Sequence, residues 1–187
     1  MPVLYGRTDG GAAARLLSYA LQQTYGIAAL PETARLPGGK PWFPAHPHIH
    51  FSISHSGPLV LCAVGDAPLG VDIELIRPRR AGLPRCVLSQ GEYTWFEARG
   101  CNWEDFYTLW TLKEGRCKYT GRGLDCSPAG LSVPLLEPGD GSTLDNLSFR
   151  AYGSSAWRAA LCAAAPAALP PSIVWLDYAS LETVRFS

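Results

Sequence analysis

In the run Leu69-Gly70-Val71-Asp72-Ile73-Glu74-Leu75, a period of two puts Leu69, Val71, Ile73 and Leu75 on one side of an extended chain and Asp72 and Glu74 on the other. Two carboxylates at that spacing suit a shared cation. An ordinary surface strand alternates in the same way, so the pattern needs a second observation. The segment WEDFYTLWTLKEGRCKYTG, starting at Trp103, supplies it. Trp103, Phe106, Tyr107, Trp110 and Cys117 recur at helical spacing as an expected buried stripe, and Glu114 falls on that stripe four residues after Trp110. A carboxylate there is costly unless a metal or a donor satisfies it. Lys118, four residues further on, allows a simple ion pair along the helix, but such a pair leaves the aromatic setting unexplained. Asp72, Glu74 and Glu114 together form a candidate set of hard oxygen ligands. Mg²⁺ would relieve their mutual repulsion while accepting water and a substrate phosphate. Zinc is disfavoured because no Cys/His constellation has a recognised spacing, and the alternating His46, His48 and His50 are expected to line a wet strand edge.

The anion side of such a site is written less clearly. Neither Rossmann nor Walker glycine spacing occurs. Lys40 follows Gly38 and Gly39, and His55 stands between Ser54 and Ser56, so isolated charges and hydroxyls are on offer to a bent phosphorylated ligand. The chain has only three lysines, Lys40, Lys113 and Lys118, among 16 basic residues. These balance 16 acidic ones, and a chain without net charge is a poor candidate for nucleic-acid binding, which relies on surplus Lys and Arg.

The elements that must hold these residues follow from pattern. Val3 to Tyr5 starts a strand, and a helix is expected from Ala12 to Tyr25 with Leu16, Leu17, Ala20, Leu21 and Thr24 on its inner face. HIHFSIS and LVLCAVG read as strands joined by a sharp Ser-Gly-Pro connection, with His55 at a strand end. LGVDIEL is a third, followed by an arginine-rich loop, RPRRAGLPR. Helices are expected over Gln90–Ala98 and Trp103–Thr120, then strands over LSVPLL, LSFRAY, WRAALCAA and SIVWLD, with EPGDGS as an exposed turn. The fold class is α+β in two unequal halves, 1–68 and 69–187, each a helix packed on a small antiparallel sheet.

The 187 residues suffice for one compact unit or two small halves. The six cysteines include no Cys-x-x-Cys pair, the start MPVLYGRTDG lacks the features of a secretory leader, and no apolar stretch reaches membrane-spanning length. A cytoplasmic protein with reduced thiols is the expectation.

The pieces GKPWF, FSISHSG, PLGVDIE and FYTLWTLKEGRCKYTGRGL occur in this order, and with them the chain resembles the 4'-phosphopantetheinyl transferases of the surfactin-synthetase-activating type. The specific signature is the pair of acids combined with W-x-x-K-E-x-x-x-K and a following G-x-G-L. Similarity runs from about Arg15 to Val133. It implies a pseudo-symmetric pair of α+β halves in one monomer, with coenzyme A bound at their junction. It also implies Mg²⁺-dependent transfer of phosphopantetheine from coenzyme A to a serine of an acyl-, peptidyl- or aryl-carrier protein, releasing adenosine 3',5'-bisphosphate. By this resemblance Asp72, Glu74 and Glu114 are the Mg²⁺ ligands, Lys40 and His55 contact coenzyme A phosphates, and Ser54 is an accompanying polar contact. Lys113 and Lys118 fall on the two lysines of the helix motif. Relatives of this type carry a longer basic stretch before the first helix, where this chain has only RTDGGAAA. Arg15 preserves one anchor for the nucleotide 3'-phosphate.

Glu114 is then the expected proton acceptor for the serine hydroxyl, directly or through water, with Lys113 or Lys118 as electrostatic or acid partner. The loop of Arg77, Arg79, Arg80 and Arg85 is expected to face the carrier. The alternatives are a nonenzymatic module that binds coenzyme A or a carrier protein, and a different Mg²⁺-dependent phosphate-ester or pyrophosphate enzyme.

Overall fold

A computed structural model describes residues 1–9, 13–121 and 127–177. Its chain is mixed α+β. The first sheet has the order β10-β1-β5-β4, built from β1 (Val3–Arg7), β4 (His50–Ser56), β5 (Leu59–Gly65) and β10 (Val174–Leu176). The second has the order β6-β9-β8-β7, from β6 (Leu69–Leu75), β7 (Gly141–Leu144), β8 (Leu147–Gly153) and β9 (Trp157–Ala164). A minimal hairpin pairs β2 (Ala34–Arg35) with β3 (Pro41–Trp42).

Helix α1 (Ala13–Tyr25) buries Leu16, Leu17, Ala20 and Leu21 against Tyr5, Val60, Cys62 and Val64 of the first sheet. This is the face its sequence spacing requires; Ala12, where the helix was expected to begin, lies outside the described residues. Helix α4 (Trp103–Thr120) covers the second sheet, packing Phe106, Leu109 and Leu112 with Phe149, Ala151, Ala160 and Cys162. Its start is capped by Asn102, whose side chain accepts from the Asp105 amide, and its end by Gly121 in the left-handed region at φ 68°. Helix α3 (Gln90–Ala98) begins with a reciprocal Ser89–Glu92 capping box. The opposite faces of the two sheets share a third core, with Leu4, Leu59 and Leu61 meeting Leu69, Val71, Ile73 and Leu161.

Several expectations change. LSVPLL is not a strand: residues 131–136 run without regular pairing, and Val133 and Leu136 instead plug the α4 core. A strand missed at Gly141–Leu144 lies in and beyond the stretch expected to be only a turn, because three exposed edge residues and one half-buried leucine carry little apolar alternation. The arginine-rich loop ends in a short helix, α2 (Leu83–Val87), with proline in its first turn. Of SIVWLD only Val174–Leu176 forms a strand, and it pairs in parallel with β1. This late segment therefore completes the first sheet.

Strands β4 and β6 are the facing edges of the two sheets, and serine side chains join them. The Val71 amide donates to Ser52 Oγ at 3.1 Å and the Leu75 amide to Ser56 Oγ at 3.1 Å. Ser52 and Ser56 thus give amides of an otherwise open sheet edge their partners, and Ser54, between them at the period of two, bonds the Asp72 side chain instead.

Candidate active site

The site forms where α4 lies across β6 beside the β4 edge. Helix and strand approach closely because of Gly70: a Cβ at this position would collide with the Gly115 carbonyl oxygen and the Tyr119 amide. That close approach brings the last two turns of α4, with Glu114 and Lys118, over the strand that carries Asp72 and Glu74.

At the centre Lys118 Nζ donates to Asp72 Oδ1 at 2.7 Å and to Ser54 Oγ at 2.8 Å, while the Ser54 hydroxyl donates to the same Asp72 oxygen at 2.7 Å. Asp72 is buried, and its second oxygen, Oδ2, has no hydrogen-bond partner among the described residues. Ser56 donates to Glu74 Oε2 at 2.7 Å, and Glu114 stands half-buried at the edge of the group. Burial raises the Asp72 carboxyl above the ordinary carboxylate range, opposed by the Lys118 charge and by the hydrogen bonds from Lys118 and Ser54, with Glu74 pushing the same way as burial. Burial also raises Glu114, reinforced by the charges of Asp72 and Glu74 and opposed by Lys118. One ammonium group is thus set among three carboxylates, leaving negative charge unmet.

Among the described residues no three His, Cys, Asp or Glu side chains are gathered closely enough to hold an ion as they stand. The chemistry of the donors nevertheless fits Mg²⁺: hard carboxylate oxygens, one of them buried and, among the described residues, unpartnered. His46 and His48 stack edge to face at 6.1 Å and belong to no such group.

Beside the cluster opens a cavity of about 460 Å³, bounded by Lys40, Pro41, Phe51, Ser52 and Ile53 on one side and by Glu114, Cys117, Lys118 and Gly121 on the other. This volume is in the range of small-molecule sites. His55 is exposed and, by the strand period, shares the face of Phe51 and Ile53 one step beyond the cavity lining. Arg15 lies exposed on the first turn of α1, apart from that lining. In the RTDGGAAA interval Arg7 is buried and pairs with Asp9, and residues 10–12 lie outside the described residues.

Two of the three lysines depart from expectation. Lys113 is buried on another flank of α4, where its amine meets Glu92 Oε2 at 2.8 Å and donates to the carbonyls of Pro128 at 2.8 Å and Leu131 at 2.6 Å. With three acceptors it has no donor left for a phosphate, so it is removed from the catalytic candidates. Lys40 reaches the cavity wall, but its amine is taken by the carbonyls of Leu69 at 2.7 Å, Lys118 at 2.6 Å and Tyr119 at 3.1 Å. The stripe on α4 also shifts. Phe106, Tyr107 and Cys117 are buried, whereas Trp103, Trp110 and Glu114 mark a half-exposed margin, because α3 and residues 127–136 cover a further flank of the helix.

Ser52, Ser56, Gly70 and Glu92 were missed as parts of this arrangement. The first two had a signal in the alternation of FSISHS; Gly70 and Glu92 had none that distinguishes them from ordinary strand and capping residues. The G-x-G-L that follows α4 begins at Gly121, and its remaining residues lie outside the described ones.

An α+β protein with an acidic, lysine-bearing centre beside a cavity is the class that fold and site define. The family model of the 4'-phosphopantetheinyl transferase superfamily matches residues 68–163, which span β6 through β9 and all of α4. The chain belongs to that superfamily. It is 39% identical over 103 residues to a 4'-phosphopantetheinyl transferase of Bacillus subtilis, covering 54% of this chain and 46% of that protein. With 4'-phosphopantetheinyl transferase Sfp of Bacillus subtilis (strain 168) it shares 34% identity over 151 residues, 76% of this chain and 67% of the relative. With 4'-phosphopantetheinyl transferase AcpT of Salmonella typhimurium it shares 31% over 160 residues, 79% and 75% respectively. The chain spans about half the length of the first of these relatives. Among the described residues no helix is long and apolar enough to cross a membrane.

Proposed function

We propose that this chain transfers 4'-phosphopantetheine from coenzyme A to a serine hydroxyl of an acyl-, peptidyl- or aryl-carrier protein. The serine oxygen bonds to the β-phosphorus of coenzyme A, the pyrophosphate P–O bond breaks, adenosine 3',5'-bisphosphate leaves, and the serine proton passes to a base on the enzyme. The observation that carries this reading is the Lys118–Asp72–Ser54 cluster flanked by Glu74 and Glu114 at the mouth of the cavity.

Asp72, Glu74 and Glu114 would hold Mg²⁺, which when bound supplies positive charge to the pyrophosphate oxygens. Lys118 adds a fixed charge where negative charge grows on the departing phosphate. Glu114 is half-buried and has a raised proton affinity, which suits it to take the serine proton. Ser54 at the cluster, His55 just beyond the cavity and Arg15 on α1 supply the coenzyme A contacts, and Arg80, exposed beyond β6, meets the carrier. Two helix-on-sheet units, α1 with the first sheet and α4 with the second, support the two-half reading of the fold, with the cavity at their junction.

The test is intact-mass analysis of a panel of folded apo-carrier proteins incubated with this chain, coenzyme A and Mg²⁺. The expected result is a gain of about 340 Da on one serine, from the formula of the transferred group. Coenzyme A binding without any mass gain would instead support a binding module.

A further inference from the structure

Lys40 belongs to the first half of the chain, yet every acceptor of its amine lies in the second. Lys118 O and Tyr119 O are two of the last carbonyls of α4, which have no partners within the helix. Leu69 O is at the first residue of β6. Cys117 O of the same turn accepts from the Gly121 amide at 3.0 Å and from Thr120 Oγ1 at 2.8 Å. Gly121, at φ 68°, folds back over the Lys40 stem, where even a Cβ would come within 3.1 Å of two of its carbons. A positive group at a helix C-terminus is also favoured by the helix dipole. Burial lowers the Lys40 amine to about 8, the mark of a group seated in protein and without a carboxylate partner.

We propose that Lys40 is a positioning residue: it caps the C-terminus of α4 and staples that end to the start of β6, so fixing the backbone of Lys118 opposite Asp72. It does this in place of the phosphate contact expected from its motif. Two elements bring the acidic centre together, and their near ends are clamped by one side chain from the other half. Removing the amine leaves Lys118 O, Tyr119 O and Leu69 O without their donor, and the last turn of α4 loosens where Lys118 must be held. The proposal deepens the transferase reading and rests on it only for its kinetic consequence.

Hydrogen exchange, measured without coenzyme A or Mg²⁺, decides the matter. In Lys40→Met the amides of residues 117–121 and 69–72 are expected to exchange about tenfold faster than in the wild type, with at least partial recovery in Lys40→Arg. In the transfer assay kcat falls by about tenfold while KM for coenzyme A moves by less than about threefold. Unchanged exchange in Lys40→Met, with a loss confined to KM for coenzyme A, overturns the proposal. If the wild-type chain modifies no carrier, the transferase reading fails and the exchange comparison still decides this one. Should Lys40→Met not fold, acetic anhydride labelling of the wild type serves instead. Compared at equal fraction of unprotonated amine, a seated Lys40 reacts about tenfold more slowly than the lysine of an unstructured peptide, and equal rates on that basis overturn the proposal.

Discussion

Lys113 and Lys118 sit on one helix, five residues apart, in one motif, and the structure gives them opposite lives. Five residues turn an α-helix by about 140° beyond a full rotation, so the two cannot share a face. Lys118 looks down onto β6 and enters a cluster that is partly open to solvent, with its side chain 31% exposed. Lys113 looks toward α3 and the turn at Pro128–Gly130 and is 2% exposed. One would place charge where the proposed transfer needs it; the other ties three segments together behind it. Two lysines in a sequence signature therefore need not be two catalytic lysines.

Breaking the active side should give the largest effect. Lys118→Met is expected to lower kcat/KM for carrier modification by about 10³-fold, a loss of about 4 kcal/mol in transition-state stabilisation. Its thermal midpoint should fall as well, because the variant leaves the buried Asp72 carboxylate without its countercharge, so the activity loss at equal folded fraction is the measure that separates it from Lys113→Met. Asp72→Ala should do the same to transfer and also abolish any rise of the midpoint on adding Mg²⁺, which a calorimetric titration would show.

Lys113→Met tests the other side. It strands Glu92 as a buried charge, and breaking a buried pair costs about 3–5 kcal/mol, which for a chain of this size lowers the midpoint by roughly 10 °C. The protein that remains folded should keep the kcat of the proposed transfer within about tenfold. The double variant Lys113→Met with Glu92→Leu should recover most of the stability, since apolar groups of similar volume replace such pairs at little cost. Stability lost without recovery in the double variant would mean that the carbonyls of Pro128 and Leu131 need the amine more than Glu92 does.

Gly70→Ala strikes the contact on which the active side depends and leaves Lys113 alone. Pushing α4 off β6 should cost about 1–3 kcal/mol and disturb Lys118 and Glu114 together, seen as a fall in kcat that adding Mg²⁺ does not restore. An Ala variant with full activity would show that α4 can slide without loss.

The smallest effect concerns pH. Glu114 binds its proton more tightly folded than unfolded, so it contributes stability at low pH that is lost as pH rises from the ordinary carboxylate range through its raised value. Glu114→Gln removes the charge, so its thermal midpoint should exceed the wild-type value slightly near neutral pH, and the difference should vanish in acid. Transfer should follow the opposite course, failing in the wild type as acid protonates the base and absent from Glu114→Gln throughout.

Much of the molecule was legible along the chain. Helices at Gln90–Ala98 and Trp103–Thr120 and strands at Leu59–Gly65, Leu69–Leu75 and Trp157–Ala164 have strong periodicity or clear caps, and their limits follow from local chemistry. The alternation in LGVDIEL likewise sufficed to put Asp72 and Glu74 on one side of a strand, and the same helical spacing placed Glu114 within reach of Lys118. Weakly apolar edges such as Gly141–Leu144, and the stretch 131–136 that fills the α4 core without a ladder, carry no such pattern.

Residue types and local periods thus nominated groups for the site and fixed the element on which each one rides. What the sequence left open was rotation and partnership. That Lys113 meets Glu92, that Lys40 meets the end of α4, and that Ser54 joins Asp72 to Lys118 depend on contacts between residues 18 to 79 positions apart. Such contacts exist only once both sheets are docked, because the acceptors that capture each amine belong to elements brought together by burial of apolar faces, which is blind to which polar groups it carries along.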